Sequence, residues 1–216
     1  MNANPLIADL RREYTLAGLR RAELESDPML QFHKWFRQAL DAKLSEPNAM
    51  TLATADKTGQ PSARIVLLKG ADERGFIFFT NYESRKGHEL AQNPHAALVF
   101  FWPELERQIC IAGAISKVSR EESATYFNSR PKGSRIAAWT SSQSEAIADR
   151  AVLEKRLEQL NAKHPGEEVP LPSYWGGYCV APNRIEFWQG RPNRLHDRFC
   201  YYKQPNQSWL IERLSP

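Results

Sequence analysis

The sequence predicts a mainly β protein with helices, an α+β chain built around an antiparallel β-barrel. Three observations carry that expectation: many short runs of β-branched and aromatic residues, good turn chemistry between them, and only a few helical patterns. At 216 residues, with 42% hydrophobic and 25% charged content, the chain is long enough to bury one sizeable core. No composition break divides it, so a single domain over 1–216 is expected.

Residues 5–25 alternate charge and leucine and read as a helix-prone arm interrupted by Gly18. Residues 28–44 make a better helix, with Leu30, Phe32, Trp35, Phe36 and Leu40 recurring at three- and four-residue steps. AMTLATA (49–55), SARIVLLKG (62–70) and FIFFTN (76–81) follow, separated by the turns DKTGQP and ADERG, and are expected to form an antiparallel meander. ESRKGHELAQN (83–93) reads as a short helix capped by Ser84. HAALVFFW (95–102) and RQICIAGAISKVS (107–119) add two strands. Ser119 with Glu122 is a capping-box pattern for a helix limited by Pro131. Residues 144–163 read as one long charged helix, PGEEVPLP as a loop, and YWGGYCVAP, RIEFWQG, RLHDRFCYYK and SWLIERL as the final strands.

Several function classes find no support. A formal charge of +4, from 29 basic and 25 acidic residues, suits small anions and is too weak to argue for nucleic acid. Cys110, Cys179 and Cys200 suggest neither a disulfide framework nor a metal site, so a reducing cytoplasm is expected. The N-terminal residues lack the apolar run of a secretion signal, and no window suits a membrane span. The five histidines fall into no ligand spacing, so no metal is expected. Rossmann, P-loop and nucleophile-elbow signatures are missing.

Four stretches could carry anion chemistry. In WQGRPNRLHDRF (188–199), a turn feeding a strand would set Arg194, His196 and Arg198 in a row on one face, and such a row needs an anionic partner or water. RIVLLKG begins in Arg64 and ends in Lys69, which fits a phosphate-holding edge or two strand ends reaching solvent. Arg85 and Lys86 fall in a first helical turn, where they oppose the helix dipole. A bound phosphate would compensate them, and a solvated turn reads equally well. Tyr126, Arg130 and Ser134, spaced four and four, could hold a phosphate or form an exposed helix end.

In order along almost the whole chain, LRREYT, RIVLLKG, TNYESRKGHEL, LERQ, YFNSRPKGS, SSQS, VPLPSYWGGY, IEFWQG, RLHDRF and IERLSP resemble the pyridoxine/pyridoxamine 5′-phosphate oxidase family. The combination of RIVLLK, SRK, SRPxxS and RLHDR is specific. The resemblance implies an FMN-binding split β-barrel and a homodimer with FMN at the interface. The implied reaction oxidises the 4′ carbon of pyridoxine or pyridoxamine 5′-phosphate to the aldehyde, with hydride passing to FMN and O2 reoxidising the flavin to give H2O2. It also implies site residues. FMN would be held by Arg64, Ile65, Val66, Leu67, Leu68 and Lys69, then Phe79, Thr80, Arg85 and Lys86, with Gln108, Gln143, Ser144, Trp188 and Arg198 completing the shell. Substrate phosphate would meet Lys69, Tyr126, Arg130 and Ser134, while Arg194 and His196 face the ring and reacting carbon as catalytic residues. Arg11 and Tyr14 resemble lid residues on a mobile arm, residues 1–25. The alternatives are another flavin-dependent split-barrel reductase, or a non-catalytic carrier of pyridoxal phosphate or flavin.

Overall fold

The computed structural model describes residues 7, 10 and 13–216. Helix α1 (Pro28–Asp41) starts at an Asp27 cap whose side chain accepts the Met29 N–H, with Pro28 at a position that needs no donor. It buries Pro28, Gln31, Phe32, Trp35 and Ala39. Leu30 and Leu40, expected on that face, are exposed; the buried stripe is rotated by about one residue from the one the leucines suggest.

Strands β1 (Ala49–Ala55) and β2 (Pro61–Leu67) form a hairpin with Leu52 opposite Arg64 and Thr54 opposite Ser62. Then come β3 (Gly70–Asp72), β4 (Gly75–Asn81), α2 (Arg85–Gln92), β5 (His95–Trp102), β6 (Arg107–Lys117), α3 (Arg120–Ser129), α4 (Lys132–Thr140), α5 (Ala151–Lys163), β7 (Trp175–Gln189), β8 (Asp197–Lys203) and β9 (Trp209–Leu214). The sheet order is β2-β1-β5-β6-β7-β4-β3, with β8 on β7 and β9 on β8. The β1–β2, β3–β4, β4–β7, β7–β8 and β8–β9 pairings are antiparallel. The expectation of a mainly β, antiparallel fold with helices stands.

The expected meander does not form. The chain changes partner after β2: Leu68 N–H still reaches Asn48 O, but Lys69 N–H goes to Ile77 O. RIVLLKG is therefore two segments, and β4 pairs with β7 instead of β2. YWGGYCVAP and RIEFWQG, expected as two strands, are the single strand β7. It pairs with β4 over 175–180 and with β8 over 184–189, so Pro182, which has no N–H, falls at the exchange. The expected 144–163 helix begins only at Ala151; Ser144 before it is left-handed at φ 78°. Glu13–Arg20 forms no helix.

The chain divides into two compact units. One comprises residues 48–98 and 112–182 and buries Phe127, Ile136, Val169 and Trp175 together. The other comprises the residues up to Pro47, 99–111 and 183–216. There Phe32 meets Phe100 at 5.3 Å between ring centroids, Trp35 meets Phe187 at 5.2 Å, and Phe187 meets Tyr201 at 5.5 Å. Among the described residues no helix is long and apolar enough to cross a membrane.

Candidate active site

Within the unit of residues 48–98 and 112–182 lies a cavity of about 730 Å³. Arg64, Ile65, Val66, Leu67, Lys69, Phe79, Thr80, Arg85, Lys86, Gln143 and Ser144 line it, as do Tyr126 and Arg130. Of the residues expected there, Leu68 is buried and Ser134 is not part of the lining. The four-and-four spacing fails at Arg130, whose backbone is extended and ends α3, while Pro131 caps a separate helix.

One group of cations gathers at the start of α2. Ser84 caps that helix by accepting Gly87 N–H, and Ser144 Oγ accepts Arg85 N–H at 3.2 Å. Gly87 is required: a Cβ there would lie 2.0 Å from Tyr82 O. Lys86 folds back into the protein, donating from Nζ to Gln143 Oε1 at 2.8 Å, Ser84 Oγ at 3.2 Å and Thr80 Oγ1 at 3.3 Å. Burial, then the Arg64 charge, pull its pKa down to about 8 against the opposing pull of Glu89. Arg64 arrives from β2 because alternation puts Ser62, Arg64 and Val66 on one face. Glu89 receives it. One carboxylate oxygen accepts from Arg64 Nη2 at 3.3 Å and Ser62 Oγ at 2.6 Å, and the other from Arg85 Nε at 2.8 Å. Burial pushes the Glu89 carboxyl up, but bonds from Ser62, Thr54 and Arg85, with the Arg64 charge, outweigh it and hold the pKa at about 2.

A second group combines aromatic planes with two cations. Phe79 stacks on Tyr126 at 4.1 Å and on Trp175 at 5.5 Å. Lys69 Nζ lies 5.9 Å from the Tyr126 ring centre, and the Arg130 guanidinium lies 4.8 Å from that of Trp175. Arg130 Nη1 is buried and has no hydrogen-bond partner among the described residues, which is costly for a charged donor. Burial lowers the Arg130 pKa, with Tyr126 acting the other way.

The remaining expected residues belong to the other unit. The row of Arg194, His196 and Arg198 is overturned: β8 begins only at Asp197, and Asn193 and Arg194 are left-handed at φ 55° and 61° in a short 3-10 turn. Alternation cannot align residues that precede the strand. His196 Nδ1 accepts the Arg191 N–H at 3.1 Å, and its ring packs against Trp188 at 4.6 Å and Tyr14 at 5.8 Å. Burial, then the Arg194 charge, lower the His196 pKa. Arg198 donates to Glu186 at 2.7 Å and to Ser215 O at 2.9 Å, so a protein carboxylate already partners it. Gln108 donates to Cys110 Sγ at 3.2 Å. Tyr14 is seated by Leu16 N–H on the buried Glu106 and Leu19 N–H on Asp197, each at 3.0 Å. Arg11 lies outside the described residues.

Sequence reasoning missed Glu89, Ser62, Thr54 and Trp175. An i,i+4 pairing of Arg85 with Glu89 was visible, but not the hydroxyls and guanidinium brought to it across the β1–β2 hairpin. Among the described residues, no group of three metal-ligating side chains occurs.

The unit thus places a cavity lined by several cations beside stacked aromatic rings. A solved FMN-binding protein from Nostoc punctiforme, related to pyridoxamine 5′-phosphate oxidase, shares this fold at TM-score 0.70 and 19% identity, over 89% of this chain and all of that one. The split-barrel class is thereby defined. Residues 36–164 match the family model described as pyridoxamine 5′-phosphate oxidase, and 175–216 match the pyridoxine 5′-phosphate oxidase C-terminal dimerisation region. Pyridoxine/pyridoxamine 5′-phosphate oxidases of Nostoc sp. and Paraburkholderia phymatum are each 60% identical over 97% of this chain, covering 98% and 99% of their own lengths. PhzG from Burkholderia lata, solved with tetrahydrophenazine-1-carboxylic acid, matches at 30% identity and TM-score 0.88 over 95% of this chain and all of that one. The chain belongs to the pyridoxine/pyridoxamine 5′-phosphate oxidase family.

Proposed function

We propose that this protein binds FMN and oxidises pyridoxine or pyridoxamine 5′-phosphate to pyridoxal 5′-phosphate, acting as a cytoplasmic homodimer. One observation carries the reading: a single cavity is lined both by Arg64, Arg85 and Lys86 and by Lys69, Tyr126 and Arg130, two groups of donors suited to two phosphates. The residues present fit FMN. Arg64, Arg85 and Lys86 with Ser144 suit its phosphate, and Ile65, Val66 and Leu67 offer backbone and an apolar edge. When bound, FMN supplies the two-electron acceptor and its reoxidation by O2 to H2O2.

The chain itself binds and orients. Lys69, Tyr126 and Arg130 hold the substrate phosphate, Arg130 through the Nη1 that has no hydrogen-bond partner among the described residues. Ser134 joins that group by family resemblance, as do Thr80, Phe79, Leu68, Gln108, Gln143, Trp188 and Arg198 in the FMN shell. Arg194 orients the substrate and favours negative charge near the reacting group. For His196 the hydrogen bond decides the tautomer: a backbone N–H can only donate, so Nδ1 accepts and neutral His196 carries its proton on Nε2. Neutral His196 thus keeps one N–H, on Nε2, and the role proposed for it is to orient the substrate as a donor. Tyr14, whose ring meets that of His196 edge-on, takes the lid role by family resemblance.

The test is FMN-loaded protein with each phosphate ester, read by oxygen uptake and peroxide. Turnover with release of pyridoxal 5′-phosphate is expected. Binding without oxygen uptake would favour a non-catalytic carrier, and uptake only with other substrates a different split-barrel enzyme.

A further inference from the structure

The cation cluster at the start of α2 contains a feature that an anion site should avoid. Glu89, a carboxylate with 6% side-chain exposure, sits among its cations. We infer that Glu89 is a positioning residue for the phosphate clamp, holding Arg64 and Arg85 in the geometry that receives the FMN phosphate. This rests on the assignment of that cluster to FMN.

The hydrogen-bond directions support the inference. Arg64 can only donate, so Thr54 and Ser62 accept from its two terminal nitrogens. Each hydroxyl then has one proton left, and both go to Glu89, at 2.5 Å from Thr54 and 2.6 Å from Ser62. Two relays and one direct contact thus fix the Arg64 guanidinium. Arg85 is more than half exposed and would otherwise sample many rotamers, yet Glu89 engages its Nε and leaves the two terminal nitrogens for another anion. A clamp fixed beforehand loses less freedom when the ligand arrives.

The charge balance points the same way. Arg64, Arg85 and Lys86 carry three positive charges and Glu89 one negative, leaving two to match a phosphate dianion. Arg64 from β2 and Glu89 from the same helix are the charged groups acting on Lys86, with neutral Thr80 and Gln143 at its Nζ.

The experiment compares FMN with riboflavin, which lacks the phosphate, by quenching of flavin fluorescence in wild-type, Glu89→Gln, Glu89→Asp and Arg64→Ala proteins. Glu89→Gln is expected to weaken FMN about tenfold while leaving riboflavin unchanged, since it loses charge-assisted bonds to two arginines. Glu89→Asp keeps the charge and should recover part of the preference. An unchanged or increased FMN-to-riboflavin ratio in Glu89→Gln overturns the inference, because simple relief of repulsion would tighten FMN. An equal loss of both flavins also overturns it, since that is a fold defect. Should Glu89→Gln not fold, the Glu89→Asp ratio decides: a value at or above wild type overturns the inference and a partial loss supports it. If Arg64→Ala leaves the ratio intact, or wild type does not prefer FMN, the phosphate assignment itself is wrong and the inference falls with it.

Discussion

Replacing Arg130 with alanine should separate substrate binding from stability. The guanidinium is half-buried, lies 4.8 Å from the Trp175 ring centre, and leaves Nη1 buried without a hydrogen-bond partner among the described residues. In the ligand-free protein, an unsatisfied buried donor costs about 1–3 kcal/mol. The ring contact returns about 0.5–2 kcal/mol. These nearly cancel, so Arg130→Ala should change ligand-free stability by less than about 1 kcal/mol, read by urea denaturation. With substrate bound, a phosphate oxygen satisfies Nη1 in a charge-assisted bond of about 1.5–3 kcal/mol. Its loss should raise KM for pyridoxamine 5′-phosphate about ten- to a hundredfold. FMN affinity, read by fluorescence titration, should not move. An unchanged KM, or an equal loss of FMN, would refute the assignment of Arg130 to the substrate phosphate.

Other predictions follow from the same geometry. Lys86 has a pKa of about 8 without ligand, and a bound dianion raises it. FMN affinity should therefore hold at about pH 7, where the phosphate is a dianion, and fall as pH rises through 8, by up to about tenfold per unit; a flat titration profile from about pH 7 to about pH 9.5 would contradict this. Glu89, held at about 2 against an ordinary 4.5, contributes about 3 kcal/mol at about 1.4 kcal/mol per unit. Because the folded value is the lower one, this stability is present above pH 4.5 and is lost as pH falls toward 2, so Glu89→Gln should flatten that part of the acid-unfolding curve. At Gly190 a Cβ would lie 2.7 Å from Tyr14 Cγ. Gly190→Ala should unseat Tyr14, raise substrate KM severalfold and expose residues 13–20 to proteolysis; wild-type values for both would remove the arm from the site. For Arg194→Ala the loss should fall on turnover, and an unaltered kcat/KM would take Arg194 off the catalytic list.

Local chemistry was legible in the sequence wherever a few adjacent residues suffice. The α2 and α3 caps at Ser84 and Ser119, the extents of β1 and β5, and the cationic first turn at Arg85 and Lys86 all follow from nearest-neighbour preferences. The chain's membership of its family was also written there, because RIVLLK, SRK, SRPxxS and RLHDR occur together in order. Tertiary structure decided which segments meet. Strand character does not name a partner, so only the fold could break the meander at Lys69 and hand β4 to β7. Alternation holds only inside a strand, so only the backbone could show Arg194 in a left-handed turn ahead of β8. Nor can spacing show a helix carboxylate meeting a strand guanidinium: Glu89 and Arg64 are 25 residues apart in sequence and 3.3 Å apart in space. Side-chain periodicity reports the nearest one or two turns of chain, whereas charge and burial depend on everything that folding brings close.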